Sequence, residues 1–226
     1  MKKIITSDML KIIGIVSMLS DHCAVVFTDC GLPEWIYWTM RGAGRLAFPI
    51  FAYFIAQGYI YTHSVAKYVA RLFITALISE IPYNMAVFGR VWYFGRNNIL
   101  FTFALALFVL WISDRLFKKG RGYIPVMAVI AIWAMALSYI LGLDYSWRCI
   151  LLVAIFYYAR EYPPVMYTSA AIVMISGGSA AGLVTPLSLI PIHMHDGQKG
   201  RLPRIFIQLF YPVHLLVLGI VRMLLI

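Results

Sequence analysis

An aspartate and a histidine, Asp21 and His22, stand side by side about two thirds of the way along the first long apolar segment of this chain. Ionisable residues at that depth in a hydrophobic span mark proton paths, substrate paths or catalytic sites. A neutral imidazole takes a proton from an incoming hydroxyl or amine, and a carboxylate nearby orients its tautomer and supports the imidazolium. Lys11 precedes His22 by eleven residues, and at about 100° per residue eleven steps make three turns plus roughly 20°, so the two share one stripe of a helix. They lie about 16 Å apart along its axis, close to half of a hydrocarbon core. Asp21 points about 100° away from His22 on such a helix, which allows its partner to sit on another one.

Four further groups place polar residues where apolar ones dominate. Arg45 follows Arg41-Gly-Ala-Gly and leads into an apolar stretch holding Gln57; it suits an anion at a helix start, or a snorkelling rim position. Lys67 and Arg71 open a span that buries Glu80 near Pro82, a pattern expected of a broken helix lining a cavity. Arg115, Lys118, Lys119 and Arg121 form a cluster suited either to polyphosphate recruitment or to setting membrane orientation. Tyr211 and His214 fall near the middle of the final apolar stretch, with His214 at a depth comparable to His22. No His, Cys or carboxylate set has metal-ligand spacing, so no metal site is expected.

Elements that position these groups follow from composition. Of 226 residues 62% are hydrophobic and 12% charged, with a mean hydropathy of +0.84, which implies an all-α, polytopic integral membrane protein forming a single domain over 1–226. Windows of about 20 apolar residues place spans near 9–28, 46–62, 69–88, 99–114, 123–142, 149–159, 165–192 and 205–224, about eight helices with a range of seven to nine. Segment 165–192 is interrupted by Gly177, Gly178 and Gly182 and is too long for one straight span, so a broken or re-entrant helix around 177–182 is expected.

With the amino terminus, Lys67, Arg71, the 115–121 cluster, Arg160 and Arg222 inside, the basic residues split eleven to eight. Turning the chain back at the glycines moves His193–Arg204 inside and Arg222 outside, for thirteen to six. Charge favours the second version and segment length the first. A cleaved leader is disfavoured by Asp21-His22 and the lack of a small-residue cleavage site. Three cysteines give no disulfide framework. The net charge of +10 suits membrane orientation and anionic lipid head groups rather than nucleic acid.

The run Leu10-Lys-Ile-Ile-Gly-Ile-Val-Ser-Met-Leu-Ser-Asp21-His22, then Gly44-Arg-Leu-Ala-Phe-Pro-Ile-Phe-Ala, Leu77-Ile-Ser-Glu-Ile-Pro-Tyr, a Gly-Lys-Gly-Arg loop and Phe210-Tyr-Pro-Val-His214-Leu-Leu resembles the TraX family through most of the chain. That family is named for a membrane protein that acetylates the amino terminus of conjugative pilin, and it is similar to the acyltransferase-3 group of transmembrane acyltransferases. In that group an arginine and an essential histidine are separated by ten intervening residues on the first helix; here the same spacing reads Lys11 and His22, and lysine keeps the charge but loses the bidentate fork. Arg71 resembles an arginine after that group's second helix, and Tyr211 with His214 its closing segment.

The resemblance implies an acyl-CoA-dependent acetyltransferase in a bacterial cytoplasmic membrane, amino terminus inside, moving acetyl from cytoplasmic acetyl-CoA to an outer acceptor: a peptide amine, a glycan or a lipid-linked hydroxyl. His22 would be general base or transient acyl carrier, with Asp21 supporting it. Lys11, Lys67 and Arg71 would meet the phosphates of the cosubstrate, and Arg45, Gln57, Glu80, Tyr211 and His214 would line the transfer cavity. The competing reading is a small proton-coupled transporter or lipid-binding membrane protein using Asp21, His22 and Glu80; a noncatalytic scaffold is a third.

Overall fold

A computed structural model describes residues 3–178, 180–198 and 200–225. The charge assignments made for Lys2 and Lys199, and for the side chains of Arg121 and Arg204, lie outside the described residues. Among those described, the architecture is all-helical, with isolated bridges at Ile5–His195 and Asn97–Leu143 in place of strands.

The opening helix shows why. In α1 (Ser7–Phe27), Thr6 caps the start by accepting from the Met9 backbone N–H, and the left-handed Gly31 follows the short 3₁₀ turn at the far end. Leu10, Gly14, Ser17 and Ala24 are buried, while Ile12 and Val16 on another face are 50% and 60% exposed. A helix apolar on its packed face and on its open face needs lipid to cover the second. The same two-sided pattern recurs in α10 (Arg204–Leu225), where Tyr211, His214 and Leu215 are buried and Leu209, Val213 and Val217 are exposed.

The expected spans coincide with α1, α3 (Ala47–Tyr61), α4 (Val65–Phe88), α5 (Ile99–Lys119), α6 (Ile124–Ile140), α7 (Ser146–Tyr158) and α10; α2 (Glu34–Gly44), α8 (Pro163–Ile175) and α9 (Leu189–His193) complete the chain. Among the described residues three helices are both long and apolar enough to cross a membrane, Ser7–Phe27, Ile99–Lys119 and Ile205–Leu224. The helices α6, α7 and α8 hold 17, 13 and 13 residues, short of the roughly 20 that a full crossing takes. Pro82 does not break its span: α4 continues through it to Phe88.

The chain forms two compact units. Met1–Phe51, Ile78–Tyr93 and Tyr167–Ile226 make the first; Ala52–Leu77 and Phe94–Met166 make the second. In the first, α2 runs back along α1, since Ser20 Oγ donates to the Met40 carbonyl and Arg41 meets Asp21, and the start of α3 continues the line with Ile50 and Phe51 against Gly14. The approach is close enough to require glycine at 44, where a Cβ would come within 2.4 Å of Asp21 Cβ and 2.8 Å of its backbone Cα.

Segment 165–192 turns back on itself. The helix α8 stops at Ile175, Gly178 takes a φ of +68°, and the chain returns through a 3₁₀ segment, Ala180–Ser188, into α9. The arms touch at Tyr167–His193 (3.1 Å) and Met174–Ser188 (4.0 Å). The loop that follows is pinned to the amino-terminal end of α1: Ile4 and Ile5 N–H donate to the Met194 carbonyl, and Asp196 N–H to that of Ile5, all at 3.0 Å. At the far end of α10, Arg222 Nη1 donates to the carbonyls of Ala86 (2.9 Å) and Val87 (2.6 Å). The loop therefore lies by the amino-terminal end of α1, and Arg222 at the far end of α10.

The second unit is tied at one end by loops. Arg96 pairs with Asp144 (2.6 Å), Asn97 Nδ2 donates to the Leu141 carbonyl (2.7 Å), and Asn98 caps α5 while donating to the Ala76 carbonyl (2.9 Å). Its other end holds a buried Asp114.

Candidate active site

On α1 and α10, His22 and His214 are brought together from 192 residues apart, with His22 Nδ1 and His214 Nε2 separated by 2.8 Å and the rings nearly parallel at 19°. His214 Nδ1 lies 2.7 Å from the Phe210 carbonyl oxygen. A carbonyl only accepts, so the proton sits on His214 Nδ1 and, in the neutral ring, its Nε2 is an acceptor. The proton between the rings must then belong to His22 Nδ1, and His22 Nε2 keeps its lone pair. No hydrogen bond among the described residues reaches that nitrogen. Phe210 stacks on His214 at 4.8 Å, and the Tyr211 ring meets both imidazoles edge-on, 6.4 Å from His22 and 5.7 Å from His214. One turn of α10 thus supplies the carbonyl, the orienting imidazole and two bracing rings.

Asp21 faces α2, as its position next to His22 allowed: its Oδ2 accepts from Arg41 Nη1 at 2.7 Å, with both side chains 18% exposed. The hydrogen-bond partner of the His22 ring is His214. Arg41 on α2 is held by this carboxylate. Its signal was present in the sequence, since 21 and 41 are symmetric about Gly31, where a helical hairpin turns. Arg45 follows directly after α2, its N–H shared by the Arg41 and Gly42 carbonyls at 3.2 Å, and its side chain is half-buried.

Toward the start of α1, Lys11 Nζ lies 3.5 Å from Asp8 Oδ1. Asp8 also accepts the backbone N–H groups of Arg201 (2.6 Å) and Leu202 (3.1 Å). Gly200 sits so close that a Cβ would fall 2.0 Å from Asp8 Oδ1 and 2.9 Å from Lys11 Nζ. Nearby, Ser7 Oγ contacts His195 Nε2 at 2.8 Å and donates to the Gln198 carbonyl. The cation on the stripe that carries His22 is thereby held under a loop. Ser7, Asp8 and His195 were not singled out from sequence, because their pairing depends on a contact nearly two hundred residues long.

Glu80 is half-buried on α4 in the first unit. Gln57, Lys67 and Arg71 belong to the second: Gln57 is half-buried on α3, Lys67 and Arg71 are exposed on α4, and the Arg71 guanidinium stacks over Tyr68 at 5.7 Å. Cys23, Cys30 and Cys149 are free thiols, and no group of three His, Cys, Asp or Glu among the described residues is placed to hold a metal ion.

The family model described as TraX protein matches residues 6–222. A relative from Dichelobacter nodosus, the "probable fimbrial assembly protein FimC, serogroup H1", is 29% identical, covering 95% of this chain and 94% of its own length. Protein TraX of Escherichia coli is 28% identical, covering 96% of this chain and 87% of its own. No solved structure matches.

Proposed function

Because this chain belongs to the TraX family, we propose that it is a membrane acetyltransferase that moves an acetyl group from cytoplasmic acetyl-CoA to an acceptor at the other side of the membrane. The observation that carries the reading is the ordered run Phe210 carbonyl, His214, His22, which leaves His22 Nε2 as a bare base held in one orientation. A nitrogen of that kind takes the proton of an acceptor amine or hydroxyl as its heavy atom attacks the thioester carbonyl. The carbon–sulfur bond breaks, and the coenzyme thiolate leaves and collects the proton. His214 acts through His22 and is a positioning residue, and Asp21 with Arg41 fixes α2 against the catalytic turn.

Of the contacts expected for the coenzyme phosphates, Lys67 and Arg71 stand exposed, whereas Lys11 is engaged by Asp8 beneath the 200–202 loop and serves only when that loop lifts. The similarity to a fimbrial assembly protein directs the acceptor first to the terminal amine of a fimbrial subunit, ahead of a glycan or a lipid-linked hydroxyl. The test is the purified full chain in bilayers with labelled acetyl-CoA and a pilin-type subunit. Label moves to the subunit with the native chain and not with His22→Ala. Equal transfer by both removes His22 from the mechanism, and proton-coupled flux without any coenzyme affinity replaces the enzyme with a carrier.

A further inference from the structure

At the end of α5 in the second unit, a cavity of about 280 Å³ opens between Tyr59, Thr62, Asp114, Lys118, Tyr157 and Arg160. Its floor is the Asp114 carboxylate, 7% exposed, whose Oδ2 accepts from Tyr59 Oη (2.8 Å) and Lys118 Nζ (2.7 Å) and whose Oδ1 accepts from Tyr157 Oη (2.8 Å). Three donors leave this carboxylate satisfied. The mouth is cationic. Lys118, 70% exposed, gives one of its three N–H donors to Asp114. Arg160 uses Nη1 on the Tyr157 carbonyl (2.7 Å), lies over the Tyr157 ring (4.7 Å) and meets the exposed Glu161 at 3.4 Å. Two cations against one buried anion leave a single positive charge at the cavity, with Arg115 and Lys119 on the same helix end outweighing Glu161.

That balance suits an anionic group. The surroundings add a second requirement: α5 is long and apolar enough to cross a bilayer, so its end lies at a membrane rim. Ile60, Tyr61, Phe117 and Tyr158, all next in sequence to lining or cluster residues, are exposed and offer an apolar slope. We propose that this cavity binds the head group of a phospholipid of net negative charge, with Lys118 and Arg160 on the phosphate oxygens and the acyl chains running over the exposed apolar side chains. Asp114 fixes the two tyrosines and Lys118 and does not itself contact the phosphate.

The test is native mass spectrometry of the full chain released from bilayers of equal parts phosphatidylglycerol and phosphatidylcholine. The native chain retains phosphatidylglycerol in preference. Lys118→Gln lowers that preference about fivefold, and Lys118→Gln with Arg160→Gln lowers it by about that factor again. Arg96→Gln, at the other end of the unit, leaves it unchanged. Equal retention of both lipids by the native chain overturns the proposal whatever the variants do. A rise in melting temperature with inorganic phosphate in pure phosphatidylcholine, without lipid preference, assigns the site to free phosphate and overturns the lipid source.

Discussion

The histidine pair of the first unit and the Asp114 cluster of the second are both polar networks set in helical surroundings, and they differ in how they end. Around Asp114, every carboxylate oxygen receives a donor, so the buried anion is closed off while Lys118 keeps donors for the surface. The run from the Phe210 carbonyl through His214 to His22 has one direction and terminates on a nitrogen with a lone pair. A closed network stiffens what it joins; an open one presents an atom to something that arrives. That difference, more than burial or charge, is why the proposed function rests on the histidine pair.

The largest expected effect is His22→Ala, which lowers acetyl transfer about 10²- to 10⁴-fold, the range for a lost general base, with the melting temperature nearly unchanged. Asp114→Ala does the reverse kind of damage. It strands two phenols at about 1–3 kcal/mol each, read as a lower melting temperature in detergent; a stable Asp114→Ala chain would show that the cluster is not a closure. Next comes His214→Phe, which removes the acceptor for His22 Nδ1–H and lowers turnover about 10- to 100-fold, as for other orienting partners of a histidine. His214→Gln, whose amide oxygen accepts the same proton, recovers part of it, and failure of that rescue would mean His214 only packs. Gly44→Ala forces a Cβ against the Asp21 backbone, costs about 1–3 kcal/mol and loosens the Asp21–Arg41 pair, measured by hydrogen exchange along α2.

The smallest effect concerns His195, in the loop beyond the hairpin. Burial, with help from Lys3 and Lys11 and against Asp196, holds its pKa below the ordinary 6.5. The folded form thus binds its proton less readily than the unfolded chain. The stability that depends on burying a neutral ring is at full strength above about pH 6.5 and is lost as the pH falls through the folded value. Hydrogen-exchange protection of residues 194–198 should drop between pH 7 and pH 5 in the native chain and stay flat in His195→Gln.

Much of this fold was legible. Apolar windows located the helices, because lipid demands long hydrophobic runs whatever their neighbours, and Gly177 with Gly178 announced the turn-back that charge alone preferred. The helix α2 was missed because it is short, polar at Glu34 and Arg41 and rich in glycine, so it offers no apolar window; close contact with α1 makes it a helix. Asp21, His22, Tyr211 and His214 stood out as polar residues at depth. Their pairing did not: which imidazole meets which partner is a tertiary fact, and the sequence placed Asp21 off the His22 face without naming Arg41 or His214 as the partners.

The central claim is that His22 carries its proton on Nδ1 and offers Nε2 bare. Nitrogen-15 spectra of histidine-labelled protein in bilayers, with His22 assigned by comparison to His22→Ala, read that tautomer directly. The account predicts a protonated Nδ1 and an unprotonated Nε2 in the native chain, with the preference lost in His214→Phe. A proton found on Nε2, with Nδ1 bare, would contradict it.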